Sequence, residues 1–381
     1  MATNEILGRP GTGYIRSLDG LRALAVIIVI LSHAEVAGFG GGKTGVLIFF
    51  VLSGYLITSI LLRELDRTDR LSLKRFYARR FLRLYPALII VTAATAAIAA
   101  VLLTRTANPS AQSTLNALPS VLLYFNNWVP IFAPGTDMGL FSHFWSLAVE
   151  EQFYVVWPLL LLAIYKWRRA RGVLLVALIG ALLSIVFKVF VWDGGGSRQG
   201  GTDFASDGLL LGCALAAFLA ISTPPKWMGR WLFWVALASL ALATTVGYSG
   251  SGDPAAYELF GRVFWPVAVL AATAVVFGLA TGRAPRVAVR VLELRGMVYL
   301  GRISYGMYLW HILVLTAARF VTDSPLLLAA ITLVVTIGVA SASFYLVERP
   351  FLRRKQRYEN DPSAANADEA QYGSRTTATQ P

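Results

Sequence analysis

Long apolar segments recur along the whole chain, and polar stretches separate them. Ten such segments of near twenty residues lie at about 21–37, 45–62, 84–103, 145–165, 173–192, 205–221, 229–248, 259–281, 298–318 and 325–347. As a helix, each segment is long enough to cross the ~30 Å hydrocarbon core of a bilayer. The pattern therefore predicts an all-α fold, a polytopic membrane helix bundle of about ten transmembrane helices.

The composition is that of a membrane protein, since 56% of the residues are hydrophobic and 14% are charged. Residues 17–350 are predicted to form the bundle, after an N-terminal segment at 1–16. The tail at 351–381 is first basic and then rich in small polar residues, so we expect it to be disordered. No cleavage site follows the first apolar run, so we expect the chain to stay in the cell (cytoplasmic) membrane.

Positive charge alternates between the loops. Lys and Arg cluster at 63–83, 166–171, 283–295 and 349–357, whereas the alternate loops are poor in charge or weakly acidic. Positive loops stay on the cytoplasmic side, so both termini are predicted to be cytoplasmic. These loops account for the net charge of +13, which we interpret as contact with the lipid bilayer and not with nucleic acid.

No metal site or bound cofactor is predicted. Cys213 is the single cysteine, which excludes an intramolecular disulfide and a thiolate metal cluster. The three histidines lie in three different segments without the spacing of metal ligands.

The first apolar segment carries two polar residues, Arg22 and His33. Eleven helical steps make roughly three turns plus 20°, so both side chains lie on one face, about 16 Å apart along the axis. Polar side chains inside a membrane helix are costly and usually face the bundle interior, which makes the pair a candidate functional site. In the alternative interpretation, Arg22 anchors the helix at the headgroups and His33 makes one interhelical hydrogen bond.

Other polar residues are placed by their depth in the predicted bundle. The outer half is predicted to hold His33, Glu150, Glu151, Asp203, Asp207, Tyr308 and His311. A carboxylate beside a histidine suits general base catalysis, because it fixes the tautomer and stabilises the imidazolium. Near the inner face, Arg80 and Arg83 are three residues apart and could clamp a phosphate. Alternatively, this basic loop only enforces the topology.

Six motifs carry a resemblance to a known family. They lie at 17–25 (SLDGLRALA), 46–57 (VLIFFVLSGYLI), 76–86 (FYARRFLRLYP), 144–154 (FWSLAVEEQFY), 303–311 (ISYGMYLWH) and 347–350 (VERP). In this order they resemble the acyltransferase-3 family of integral membrane O-acyltransferases. The resemblance covers nearly the whole chain and implies an enzyme of the acyltransferase class.

The resemblance also implies substrates and site residues. The expected reaction transfers an acyl group, often acetyl, from acyl-coenzyme A on the cytoplasmic side to a hydroxyl of a carbohydrate or glycosylated acceptor. The family's motif residues fall on Arg22, His33, Arg80, Arg83 and the stretch from Glu150 to Tyr154. The family often has an arginine two residues before Asp207, where this chain has Ala205. A substrate-binding role of Asp207 through such an ion pair is therefore in question.

The hypothesis for the mechanism starts with the donor. The coenzyme A phosphates bind Arg80 and Arg83, and the pantetheine extends past Arg22 toward His33. His33 is the general base, with Glu150 or Glu151 as the catalytic carboxylate that orients it. Candidate oxyanion donors are Tyr308 and His311. An acyl-enzyme route through Ser32 or His33 stays open, as do the acceptor and the length of the acyl chain.

A transporter is the rival hypothesis from another functional class. In a transporter, the buried His, Glu and Arg side chains would form a proton relay or a substrate gate. Two features of the sequence count against it. No pair of matching interrupted helices indicates inverted repeats, and the motifs follow the order of the acyltransferase family.

Overall fold

The computed structural model describes residues 14–105, 108–191, 197–225, 229–246 and 260–351, and over these ranges the chain is helical without a β-strand. The α-helices are α1 Arg16–His33, α2 Lys43–Thr68, α3 Leu73–Arg105, α4 Pro109–Leu122, α5 Val129–Phe132, α6 Trp145–Val191, α7 Thr202–Ala205, α8 Asp207–Ile221, α9 Arg230–Val246, α10 Trp265–Ala280, α11 Arg286–Leu292, α12 Arg295–Ala318 and α13 Pro325–Ser343. Short 3-10 segments lie at Gly139–Phe144 and Ser197–Gly200, and π-helical turns lie at Phe260–Phe264 and Phe344–Glu348. The predicted all-α fold is confirmed.

Several of these helices match a bilayer in length and hydropathy. Five segments meet both criteria, namely Lys43–Thr68, Leu73–Arg105, Gly139–Phe190, Arg262–Ala280 and Pro325–Phe351. Two shorter apolar helices are Asp207–Ile221 and Arg230–Thr245. The fold is therefore a bundle with membrane-spanning helices, while the number of ten and the side of the termini stay predictions. The predicted segments 1–16 and 351–381 lie almost entirely outside the described residues.

Helix α6 consists of two arms. Its backbone leaves the helical conformation at Arg168 (φ −132°) and Arg169 (φ 52°). Gln152 of the first arm and Ser184 of the second arm both hydrogen-bond to α7. In a straight helix these two residues would be about 48 Å apart, so the second arm must fold back along the first. This reversal agrees with the two predicted segments at 145–165 and 173–192.

Helices α2 and α8 approach each other to backbone contact. At Gly54 of α2 an added Cβ would collide with the backbone of Leu209 in α8. At Gly212 of α8 it would collide with the backbone of Val51 in α2. Small residues allow membrane helices to approach to backbone contact, where dispersion forces hold them. Both glycines are therefore structural requirements of this contact.

The two largest clusters of buried apolar side chains both include residues of α1, α2, α6 and α8. The first also includes α9, α10 and α11, and the second includes α3, α7, α12 and α13. Helix α1 packs along both α2 and α12. This position places Arg22, which is half-buried, and His33, which is exposed at the end of α1, between elements that carry the other predicted site residues.

Candidate active site

One cleft collects most of the predicted site residues. Its polar lining consists of Arg22, Ser53, Arg80, Arg83, Ser146, Glu150, Glu151, Ser304, Tyr305 and Tyr308, which we call the arginine cleft. The apolar lining comes from Val46, Phe49, Phe50, Leu84 and Leu147. Helices α1, α2, α3, α6 and α12 thus contribute to a single site, which joins motifs from distant parts of the sequence.

Arg80 is held by two carboxylates and an aromatic ring. Its Nη2 lies 3.6 Å from Oε1 of Glu150 and 3.9 Å from Oε1 of Glu151. The guanidinium carbon lies 3.3 Å from the centre of the Tyr154 ring, a cation–π contact. Glu150 also accepts hydrogen bonds from the hydroxyls of Ser53 and Tyr154. These contacts fix Arg80 in the wall of the cleft.

The structure differs here from the expected pairing of a carboxylate with His33. The Nδ1 atom of His33 donates to the backbone carbonyl of Val29 at 2.9 Å. The Glu150 and Glu151 carboxylates pair with Arg80 instead, because a full positive charge is the stronger partner for a partly buried carboxylate. The sequence also predicted that the arginines lie nearer the inner face than the carboxylates. In the structure, both line the same cleft.

The three histidines of the chain meet next to the arginine cleft. The His33 ring centre lies 5.1 Å from that of His311, which in turn lies 4.9 Å from that of His143. His311 is fully buried and His143 is 6% exposed, whereas His33 is exposed. Within the described ranges, no group of three metal-ligating side chains is arranged to hold a metal ion.

Sequence reasoning did not select His143. It lies just before the apolar segment that begins at 145, in the 3-10 segment Gly139–Phe144, so its depth in the bundle could not be read from the pattern. Its immediate proximity to the FWSLAVEEQFY motif was the available signal.

Tyr308, a predicted oxyanion donor, is already engaged. Its hydroxyl donates to the backbone carbonyl of His143 at 2.6 Å and lies 2.5 Å from the hydroxyl oxygen of Ser146. A phenol has one hydrogen, so Tyr308 must release this carbonyl before it can donate to a substrate oxygen. The Tyr308 and Ser146 hydroxyls therefore form a hydrogen-bonded pair in the wall of the cleft.

Positive charge exceeds negative charge in the lining of the cleft. Arg22, Arg80 and Arg83 line the cleft together with the two carboxylates, and Arg22 makes a distant ion pair of 4.0 Å with Asp19. Within the described part of the chain, the buried Nε atoms of Arg22 and Arg80 have no hydrogen-bond partner. Buried donors normally find partners, so this lining favours an anionic ligand.

Asp207 lies outside the arginine cleft. Its carboxylate pairs with Lys188 at 2.7 Å, and both side chains are 0% exposed. The Lys188 ammonium also lies 4.7 Å from the centre of the Trp265 ring and 5.1 Å from that of Phe204. Asp207 thus belongs to a buried ion pair in which Lys188 of α6 supplies the cation, and its substrate-binding role stays a prediction. The sequence carried one indication of this ion pair, a lysine within the apolar segment 173–192.

The comparisons with known proteins agree with the motifs. A family model described as an acyltransferase domain matches residues 15–346. The chain belongs to this acyltransferase family.

The sequence of this chain is similar to those of several bacterial proteins. It is 34% identical to the peptidoglycan O-acetyltransferase OatA of Listeria monocytogenes, over 91% of this chain and 57% of the relative. It is 33% identical to the putative peptidoglycan O-acetyltransferase YrhL of Bacillus subtilis, over 88% of this chain and 55% of the relative. A putative O-acetyltransferase of Staphylococcus aureus is 30% identical, with 89% and 57% coverage. The chain thus spans a little over half the length of these relatives, and no solved structure matches it.

Proposed function

We propose that the protein is a membrane O-acyltransferase that transfers an acetyl or short acyl group from acyl-coenzyme A to a hydroxyl of a carbohydrate. Membership of the acyltransferase family supports the reaction class. The names of the relatives support acetyl as the group and a glycan of the peptidoglycan type as the first acceptor to test. The single observation that carries the proposal is the arginine cleft, one wall residue of which, Tyr308, hydrogen-bonds to the backbone of the histidine cluster. We assign the enzyme to the cytoplasmic membrane.

The arginine cleft suits the phosphates of coenzyme A. Guanidinium groups bind phosphate through paired hydrogen bonds, and the lining has more cationic than anionic side chains. Arg80 is already held by Glu150 and Glu151. We therefore assign the phosphates mainly to Arg83 and Arg22, while Arg80 shapes the wall between them.

His33 is the general base in this proposal. Because a carbonyl only accepts, the hydrogen bond to Val29 places the proton of the neutral imidazole on Nδ1 and the lone pair on Nε2. Nε2 removes the acceptor's hydroxyl proton, and the oxygen attacks the thioester carbonyl. The C–O bond forms, the C–S bond breaks, and the coenzyme A thiolate leaves with the electron pair. No covalent enzyme intermediate is needed.

Donor binding tests the assignment of the cleft. Arg83→Gln removes a charge from the lining, and charged hydrogen bonds of this kind contribute about 1.5–3 kcal/mol. The Kd of acetyl-coenzyme A, measured on the purified protein in detergent, should therefore rise at least about tenfold. Arg105→Gln is the matched control, because Arg105 lies exposed at the other end of the same helix, and it should leave the Kd unchanged. An unchanged Kd in folded Arg83→Gln would refute the donor site.

A further inference from the structure

His33 is the histidine that a large ligand can reach from solution. His143 and His311 are buried, whereas His33 is exposed at the end of α1. Arg22, which lines the arginine cleft, lies eleven residues earlier on the same helix, about 16 Å away along its axis. The donor and the acceptor can therefore approach different ends of α1. The side chains around its exposed end are the candidates for recognition of the acceptor.

An ion pair lies beside His33 at this end. Nη2 of Arg319 donates to Oε1 of Glu35 at 2.7 Å, and the two side chains are 51% and 73% exposed. Glu35 lies two residues after His33, and the Arg319 guanidinium is near enough to act electrostatically on the imidazole. Both members of the pair are thus neighbours of the proposed base and are accessible to a ligand.

The helix ends do not need this ion pair to hold them together. Ala34, Leu315 and Ala318 belong to a buried apolar cluster that joins the same ends of α1 and α12. Exposed ion pairs contribute little stability, because water weakens the attraction and ordering two long side chains costs entropy. Glu35 also has a left-handed backbone (φ 59°), which costs free energy in any residue except glycine. A charged side chain held there at such a cost is a candidate for a functional role.

The ion pair has further hydrogen-bonding capacity that matches a sugar. The bond between Arg319 and Glu35 uses one nitrogen of the guanidinium and one oxygen of the carboxylate. In the part of the chain that the structure describes, neither side chain has another hydrogen bond or ion pair. A carbohydrate hydroxyl both donates and accepts, so neighbouring hydroxyls can accept from the guanidinium and donate to the carboxylate.

We propose that Glu35 and Arg319 bind the carbohydrate acceptor and hold one of its hydroxyls at Nε2 of His33, an inference that rests on the proposed function. Arg319 donates to one sugar oxygen, and Glu35 accepts from another hydroxyl of the same sugar. Neither residue takes part in the making or breaking of bonds. The pair therefore sets the affinity for the acceptor, while His33 performs the proton transfer.

The kinetics of the acceptor test this proposal. Arg319→Gln should raise the KM of soluble peptidoglycan fragments at least roughly tenfold, the scale of a lost hydrogen bond to a charged group, and leave kcat within about threefold. The Kd of acetyl-coenzyme A and the melting temperature should not change, because the arginine cleft is untouched and Arg319 is exposed.

A conservative variant separates acceptor binding from a role in joining the helices. Arg319→Lys keeps a cation that can pair with Glu35, but it loses the planar fork of the guanidinium. It should therefore also raise the KM of the peptidoglycan fragments. An ion pair that only joins α1 to α12 would tolerate the lysine, and this variant would then keep the wild-type KM.

Asp69→Asn is the matched control. Asp69 also has a left-handed backbone (φ 55°), and its carboxylate pairs with Arg169 at 2.5 Å, with the two side chains 72% and 64% exposed. Helix α2 begins beside Ser32 and Asp69 follows its other end, so Asp69 is far from His33. Its substitution should leave the KM unchanged.

Two outcomes distinguish failure of this inference from failure of the proposed function. A wild-type KM for the fragments in Arg319→Gln or Arg319→Lys, or an equal rise in Asp69→Asn, would overturn the acceptor site alone. Absence of any acceptor-dependent transfer by wild type would overturn the proposed function together with it.

Discussion

At the scale of single residues, two cations inside this protein are matched with carboxylates. Arg80 lies against two carboxylates in the wall of the cleft, and Lys188 is paired with Asp207 away from it. Burying a charge away from water costs free energy. Each buried charge therefore needs its partner, even where the ion pair contributes little net stability to the fold. Of these two cations, Arg80 lines the cleft, which can hold a ligand, and Lys188 does not.

The buried ion pair gives a prediction for stability. Lys188→Met leaves the Asp207 carboxylate buried without its cation, and such a loss costs about 3–5 kcal/mol. The melting temperature in detergent should fall markedly. The double variant Lys188→Met/Asp207→Leu should recover most of the lost melting temperature, because it buries neither charge. A double variant that is stable but binds its substrates weakly would instead restore a substrate-binding role to Asp207.

The residues of the site were easier to predict than their partners. A sequence indicates only roughly where a side chain lies along a helix axis and does not give the rotation of that helix about its axis. The structure brings Arg22, Arg80, Glu150 and Glu151 into one cleft, whereas the prediction separated Arg80 from the carboxylates in depth and paired the carboxylates with His33 instead of Arg80. Functional roles of these residues stay predictions.

At the scale of the elements, the α2–α8 contact depends on glycine. Gly212→Val would drive a branched side chain into the α2 backbone, and overpacking of this kind costs about 1–3 kcal/mol. We expect a lower melting temperature in detergent. Gly338→Ala in α13 is the matched control, because an added Cβ there meets nothing within 4 Å, and it should be neutral or stabilising by up to about 1 kcal/mol. Equal effects of both substitutions would contradict the close approach of the two helices.

The apolar helices were predictable because a run of twenty apolar residues has few alternatives in a bilayer. Helix α4 was missed, since Pro109–Leu122 is too polar for that signal. A local signal was present: Oδ1 of Asn108 accepts from the amides of Ser110 and Ala111, and Pro109 begins the helix. An N-cap asparagine followed by proline is typical of a helix start.

At the scale of the whole molecule, the orientation in the membrane is a prediction from loop charge. Thr68→Cys, at the end of α2, should react with a membrane-impermeant thiol reagent only after the cells are permeabilised. Thr136→Cys, between α5 and α6, should react in intact cells, because both positions are exposed and lie in alternate loops. Cys213 is 0% exposed, so the parent chain is the unreactive control. The reverse labelling pattern would invert the topology.

In the proposed enzyme, the arginine cleft binds the donor and His33 activates the acceptor for acyl transfer. The most direct test supplies acetyl-coenzyme A labelled in the acetyl group and a panel of carbohydrate acceptors to the purified protein, and then measures the label in the acceptor. Wild type should form a labelled ester, and a folded His33→Asn variant should be slower by roughly 10²-fold or more, the scale of a lost general base. Equal transfer by this variant, or no transfer by wild type with bound donor, would contradict the account.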